Sequence, residues 1–471
     1  MNAHPKLRGC CSIVFAAIHV ALAASAAGQV CPVAAANGQE YCVVWKHGPA
    51  GDYTAKVLMG TRVSTNGAVL PPGSLLITTN MAGDVRPSIA ALGDGFLVVW
   101  TDDRAGTNAY DIYGARISKQ GTLLDPNGIA VCTANNAQRS PQVASCGQNC
   151  LVVWEDERNA LHKGNIYGAR VSPAGAVLDP DGIAICVASG NESGPVVAST
   201  VHYALVVWKD YRNYGLYGAR LDAGGTVLET NGFPVLTFAS MPYPYALAAC
   251  QTNFLLAMEH IGDPAPSYAL YAIRLSEAGA VLGSLFLVTD KYLYGDNFGL
   301  AGGRSQFLLA SAGYSSSQPI ISAVRVSCDG SVLDPSPLRV SAGSRHKQNA
   351  VCTALGDDFL VAWEDGRHSG TTNFVLDVYA ARLSEHGSML DTNGLWLTPP
   401  PLLGVTVVDG TNPPTLRLSF SGAPGASYSI QASSNLLHWE TLGAAIEGAC
   451  GQFQFQDGGS ALARFYRLTI P

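Results

Sequence analysis

One phrase is spelled out seven times along this chain: a Pro-x-Val-Ala piece, then Leu-Val-Val-Trp, then Ile-Tyr-Gly-Ala-Arg, then a glycine turn. Its third copy runs from Pro141 and Val143 through Leu151-Val152-Val153-Trp154 and Ile166-Tyr167-Gly168-Ala169-Arg170 to Gly175. The anchor after the valines is Trp45, Trp100, Trp154, Trp208, Met258, Ser311 and Trp363, and the following segment ends at Arg62, Arg116, Arg170, Arg220, Arg274, Arg325 and Arg382. Successive anchors lie 50 to 55 residues apart, the length of a four-stranded propeller blade. Apolar runs mark four extended segments per copy. Turns such as Ser172-Pro173-Ala174-Gly175 and Asp179-Pro180-Asp181-Gly182 separate them.

Such a unit cannot bury both faces of its own sheet, so the copies must stack on one another. The expected fold is all-β: a seven-bladed β-propeller over residues 28–400. An open solenoid is the alternative, but its coils are shorter and less turn-rich. Pro399 and Pro400 close the last copy. Residues 401–471 carry their own alternating segments at 416–420, 428–432, 439–442, 453–456 and 465–470, which predict a small immunoglobulin-like β-sandwich. Leu395-Trp396-Leu397 can either finish the seventh sheet or complete the first.

The repeats resemble bacterial secreted propellers that carry Val-Trp-x-Asp-x-Arg followed by Asp-Ile-Tyr, and more distantly the Tol-type periplasmic propellers. The resemblance covers roughly residues 30 to 400 and implies a fold rather than an activity. The tail, with Tyr428-Ser429-Ile430-Gln431-Ala432-Ser433-Ser434-Asn435-Leu436, Trp439 and Tyr466-Arg467-Leu468, is similar to a C-terminal module of secreted bacterial proteins. That similarity implies an accessory role in attachment, sorting or stability. Trp439 reads as a sandwich-core residue.

Residues 1–27 have the layout of an export signal: Lys6 and Arg8, the apolar run 11–23, then Ala24-Ser25-Ala26. Later apolar runs are too short for a membrane helix. Without Lys6 and Arg8, 26 basic residues face 35 acidic ones, and no basic stripe suggests nucleic acid. An exported, extracellular, cell-surface or periplasmic location follows. The ten remaining cysteines fit an oxidising compartment. Cys146 and Cys150 flank a short turn and are expected to pair, and Cys31 with Cys42 is a second candidate. Cys132, Cys186 and Cys352 read as buried thiols, since equivalent positions on neighbouring blades lie too far apart for a disulfide.

Trp-x-Asp-x-Arg recurs in four copies, at Asp102 and Arg104, Asp156 and Arg158, Asp210 and Arg212, Asp365 and Arg367. The other three copies have His47, His260 and Gly313 for the aspartate, and there the arginine is also lost, to Pro49, Gly262 and Ser315. Joint loss is what a structural pair predicts, because a buried charge left alone is costly. Function is then expected where the copies differ, on the loops of one face. Aromatic side chains gather there: Tyr211, Tyr214, Tyr243, Tyr245, Tyr292 and Tyr294, with Phe238 and Phe298. Such rings are platforms for sugars or apolar partners, although packing between degenerate blades explains them as well. A polar alternative is His47, His346, Glu364 and His368, with Asp365, brought together if the last copy meets the first.

No metal-ligand spacing and no nucleophile motif is present, so no cofactor and no metal are expected. Asp125, Asp179, Asp334 and Asp391 leave calcium as a remote alternative, but aspartate there ordinarily caps its own turn. The leading expectation is a non-enzymatic binding protein that recognises a carbohydrate or an extracellular protein at the variable-loop face. The alternatives are a polysaccharide-degrading lyase or hydrolase using the same face, and a structural cell-surface protein.

Overall fold

Alternating Val, Leu and Ala with small residues produces short antiparallel strands, and no helix occurs among the described residues. The computed structural model describes residues 27–49, 56–82, 86–106, 110–159, 164–237, 245–260, 269–290, 298–315, 318–341, 346–367, 376–398, 404–407, 415–421, 428–433, 438–447, 452–458 and 465–469. The chain divides into two compact units, one of them Ala26–Pro399 and the other containing Pro400–Pro471. No helix among these residues is long and apolar enough to cross a membrane.

The larger unit holds seven four-stranded sheets, each built from four consecutive strands. Sheet three is representative: Gln138–Cys146, Asn149–Asp156, Asn165–Val171 and Ile183–Cys186. The first strands of the seven sheets are Ala27–Ala36, Ser88–Leu92, Gln138–Cys146, Glu192–Ser199, Tyr245–Cys250, Phe298–Gly302 and Lys347–Leu355. Each touches the next in order, and the seventh touches the first. They line an open cavity of about 300 Å³ near their hairpin ends, bordered from every sheet by small residues such as Ala35, Ala90, Ala144, Ala198, Ala248, Ala301 and Ala354. The architecture is propeller-like. Leu395–Trp396 pairs with Asp377–Leu383, so it finishes sheet seven and is not shared with sheet one.

Both faces of a sheet are buried between its neighbours, which is why the second strands read as continuous apolar runs. Trp154 packs on Leu97 and Val99 of sheet two, while Leu151 and Val153 pack on Val206 and Trp208 of sheet four. All five anchor tryptophans are buried in separate sheets.

Neighbouring sheets are also clasped at the outside. The arginine ending each third strand reaches the glycine turn of the next sheet: Arg62 donates to the Lys119 carbonyl (2.6 Å), Arg116 to Pro173 (2.8 Å), Arg325 to Glu385 (2.8 Å), and Arg382 of the last sheet to Thr65 of the first. Five of these guanidiniums are held by a carboxylate nine residues on, as in Arg116–Asp125 (2.8 Å), Arg170–Asp179 (2.8 Å) and Arg382–Asp391 (2.7 Å), whereas Arg62 uses Glu40 (2.7 Å) and Arg274 has Gly283 at that position. These aspartates therefore bind an arginine rather than capping their own turns. Glycine is required opposite: Gly175 has φ +84°, and a Cβ there would lie 2.7 Å from the Arg116 guanidinium carbon.

The cysteine pairing differs from expectation. Cys146 and Cys150 are both free. Cys146 stands opposite Asn149 and Cys150 opposite Ser145, so the two thiols point to opposite faces of sheet three, one towards sheet four and the other towards sheet two. Cys31 and Cys42 are also free; Cys42 pairs with Ala35, well along the strand from Cys31. The disulfide among the described residues is Cys250–Cys328, with a Cα separation of 6.0 Å. It ties the end of the first strand of sheet five to the residue after the third strand of sheet six. The rule against equivalent positions survives, because these two positions are not equivalent.

In the smaller unit, Gly404–Val407, Leu416–Ser421, Gln452–Asp457 and Ile446–Glu447 form one sheet, and Glu440–Ala444, Ser429–Ser433 and Phe465–Thr469 the other. Leu418, Phe420, Tyr428, Ile430, Ala432, Phe453 and Tyr466 make its core, with Phe420 stacked on Phe453 at 5.3 Å. Trp439 is half-buried and lies outside that buried cluster.

Candidate functional site

Side chains alternate along a strand, so the anchor motif sorts itself onto two faces. Tryptophan, aspartate and arginine, at alternate positions, share one face. The residues between them share the other.

The first face is nearly constant. In sheet three, Trp154 Nε1 donates to Asp156 Oδ2 (2.7 Å), and the Arg158 backbone N–H and guanidinium donate to the same carboxylate (2.8 and 2.7 Å). Arg158 lies over the Tyr167 ring at 4.2 Å and also donates to the Asp181 carbonyl (2.6 Å). The Asp102–Arg104 (2.8 Å), Asp210–Arg212 and Asp365–Arg367 (2.7 Å) pairs repeat this arrangement, each aspartate having no exposed side-chain surface. Where the aspartate is missing in sheet one, Trp45 Nε1 is buried with no partner. Cys132 and Cys186 lie beneath these forks, Cys132 Sγ accepting from Arg158 at 3.1 Å. Cys186, Glu192 and Asp210 come close enough together to suggest a metal site. However, the Arg212 guanidinium already binds Asp210 and reaches Cys186 at 4.0 Å, and burial pushes the Cys186 thiol up to about 11. A cation therefore already occupies that trio.

Asp156→Ala should cost about 3 kcal/mol, because it leaves Arg158 and the Trp154 indole unpaired. A double-mutant cycle with Arg158→Ala checks this: the double variant should lose much less than the two single losses combined.

The second face varies. Directly after the anchor stand Lys46, Thr101, Glu155, Lys209, Glu259, Ala312 and Glu364. Glu364 is fully buried and accepts from Cys31 N (2.7 Å), Gln348 Nε2 (2.6 Å) and Asn349 Nδ2 (2.7 Å), while Arg86 holds Asn349 from the other side (2.8 Å). Burial pushes its carboxyl above the usual range. His346 is exposed, its Nε2 2.5 Å from Gln348 Oε1. His47 is half-buried, which lowers its pKa, and His368 lies outside the described residues. Sheets seven and one do meet, but the acid is enclosed and saturated while the histidine beside it is exposed.

The half-buried Glu155 accepts weakly from Gly194 N (3.4 Å), and burial raises its carboxyl. Lys209 lies 5.6 Å from the Tyr245 ring centre. Tyr245 sits within a strand, not on a loop. It is buried, and its hydroxyl donates to the Gly194 carbonyl. Tyr211 and Tyr214 differ from it: they are 40% and 58% exposed, the only exposed Phe, Tyr or Trp side chains among those described. Their ring centres lie 6.1 Å apart, edge to face. Tyr214 holds φ +49°, an unfavourable conformation for a residue with a side chain. Phe298 is buried, and Phe238, Tyr243, Tyr292 and Tyr294 lie outside the described residues. Sequence reading by loop missed Glu155, Lys209 and Glu259. The signal that reveals them is the alternation about each anchor.

No protein-family model matches the sequence, and no curated protein matches it significantly. Among solved structures, the polysaccharide lyase Uly1 is similar at 9% identity and TM-score 0.48, over 74% of this chain and 88% of that one. The β-propeller domain of the Trilobed protease from Pyrococcus furiosus is similar at 11% identity and TM-score 0.43, over 79% and 96%. A subtype N11 neuraminidase-like protein (flat-faced bat, Peru) gives 12% and 0.42, over 83% and 95%. Likeness this distant carries nothing about chemistry, which must come from the residues.

Proposed function

We propose that this chain is an exported binding protein: a seven-bladed propeller closed by side-chain clasps, followed by a small immunoglobulin-like sandwich, that recognises a carbohydrate at the face bearing the second-to-third strand loops. The observation that carries the binding role is the exposed, edge-to-face pair Tyr211 and Tyr214. Leaving these two tyrosine rings exposed forgoes burial that every other described Phe, Tyr or Trp obtains to a greater extent, and one of them is held in a strained backbone conformation. A sugar ring covers such a pair with its C–H face and hydrogen-bonds the hydroxyls with its edge. Similarity of the repeats to secreted bacterial propellers, the export-like leader and the presence of a disulfide support the location. A non-enzymatic role fits the polar residues, in which the buried Glu364 already accepts three hydrogen bonds.

A glycan array probed with the mature chain identifies the ligand. Tyr211→Ala with Tyr214→Ala should weaken binding to the best glycan by about tenfold or more, the equivalent of roughly 1.4 kcal/mol. The fold should be unaffected, since both rings are exposed. Unchanged binding would overturn the platform, and depolymerisation of the bound glycan would overturn the non-enzymatic role.

A further inference from the structure

Three sheets place a glutamate directly after the anchor, and two of them satisfy it. Glu364 of sheet seven accepts three hydrogen bonds, and Glu155 of sheet three accepts from Gly194 N (3.4 Å) and feels the Lys209 ammonium. Glu259 of sheet five is the third. It is 1% exposed, and it is the one buried carboxylate among the described residues with neither oxygen partnered.

Glu259 continues the row of Leu255 and Ala257, which packs on Phe298, Phe307 and Leu309, so it faces sheet six. The strands it meets there, Phe298–Gly302 and Gln306–Ser315, contain no charged residue, and Tyr314 is their one titratable one. Within sheet five, Tyr245 and Tyr271 stand opposite Met258 rather than Glu259, Cys250 is in the disulfide, and Arg274 stands opposite Leu255, four residues away. The fourth strand, Val281–Thr289, carries no charge, and Asp290 after it is exposed. The side chains of His260 and Tyr314 lie outside the described ones. Burial, with no neighbouring charge to oppose it, pushes the Glu259 carboxyl above the usual range. An ionised carboxylate without partners is too costly to keep in such a place, so the group holds a proton instead. A proton is the one counter-ion that needs no cavity.

We propose that Glu259 is a proton-operated latch: this end of the five–six junction is closed while Glu259 carries a proton, and losing it forces the two sheets apart there. The junction suits such a motion. Neither sheet carries the indole–aspartate–arginine fork, since Met258 and Ser311 replace the tryptophan and Gly262 and Ser315 the arginine, whereas the Cys250–Cys328 bond holds the far end of the same strands. Opening is therefore a local event hinged on the disulfide rather than loss of the fold. Linkage gives its direction. The closed form keeps a proton that the open form releases to water, so stability from closure is complete in acid and declines as pH rises above the ordinary carboxylate range. The latch is independent of the glycan-binding reading.

The test is hydrogen exchange of the full chain with its disulfide intact, compared with Glu259→Gln, which substitutes a neutral side chain of the same size. The ratio of wild-type to variant rates removes the intrinsic pH dependence of exchange. In Asn253–His260 and Phe298–Gly302 that ratio should rise about tenfold or more between roughly pH 5 and pH 8, while in Asn149–Asp156 of sheet three it stays constant. Glu259→Met, neutral and apolar, should behave as Glu259→Gln does. A ratio that ignores pH, an equal rise in sheet three, or failure of both neutral variants to fold in acid overturns the latch.

Discussion

Replacing Trp154 by alanine should destabilise the larger unit by about 3–5 kcal/mol, because an indole with no exposed surface leaves a cavity in a close-packed junction. The loss has two parts. The indole fills space between Leu97, Val99 and its own sheet, and its N–H completes the Asp156 carboxylate. Trp154→Phe separates them: it keeps most of the volume and removes only the hydrogen bond, so it should cost much less. Urea unfolding followed by fluorescence of the remaining tryptophans measures both. Since Trp45 already lacks an indole partner, Trp45→Phe should cost less still, and equality of the two phenylalanine variants would refute a contribution from the aspartate.

The second large effect concerns the disulfide. Joining residues 78 apart restricts the unfolded chain by about 4 kcal/mol on a chain-entropy basis. Cys250→Ser with Cys328→Ser should therefore lower the urea midpoint markedly, and a reductant should bring the wild type to the same value without moving the variant further. Among the described residues reductant should act through this bond, because the free cysteines there are all buried, with Cys150 pushed up to about 12 and correspondingly inert. The staple lies between the two sheets that have lost their indoles.

The repeated sheets were legible because the pattern that specifies them recurs: alternation sets the strands, and joint loss of Asp and Arg marks a pair before any coordinate is known. Pairing of cysteines was not. Cys146 and Cys150 looked adjacent, but Gly147 at φ +61° and Gln148 form a two-residue turn, which places the two thiols on opposite faces of the sheet. Cys250 and Cys328 fall at different registers of different repeats, and only packing between sheets brings them together. The site was half legible for a similar reason. Loop composition pointed to Tyr211 and Tyr214 and equally to Tyr245, whose run Tyr-Ala-Leu-Ala-Ala-Cys lacks the Pro-x-Val-Ala mark yet is a buried strand. Glu259 stood out only once its counterparts, Glu155 and Glu364, had visible partners.

Each sheet contributes one outward arginine and one receiving glycine turn, and Arg382 meets Thr65 as Arg62 meets Lys119. The seam between the chain's last and first sheets is therefore chemically like the internal junctions, and no strand crosses it. Where the polypeptide begins is, for this ring, a matter of genetics rather than architecture. A copy can be relocated, duplicated or made the new starting point with its matching surfaces travelling inside it, so that divergence is free to act on the loops and on the two junctions where Met258 and Ser311 replace the common indole.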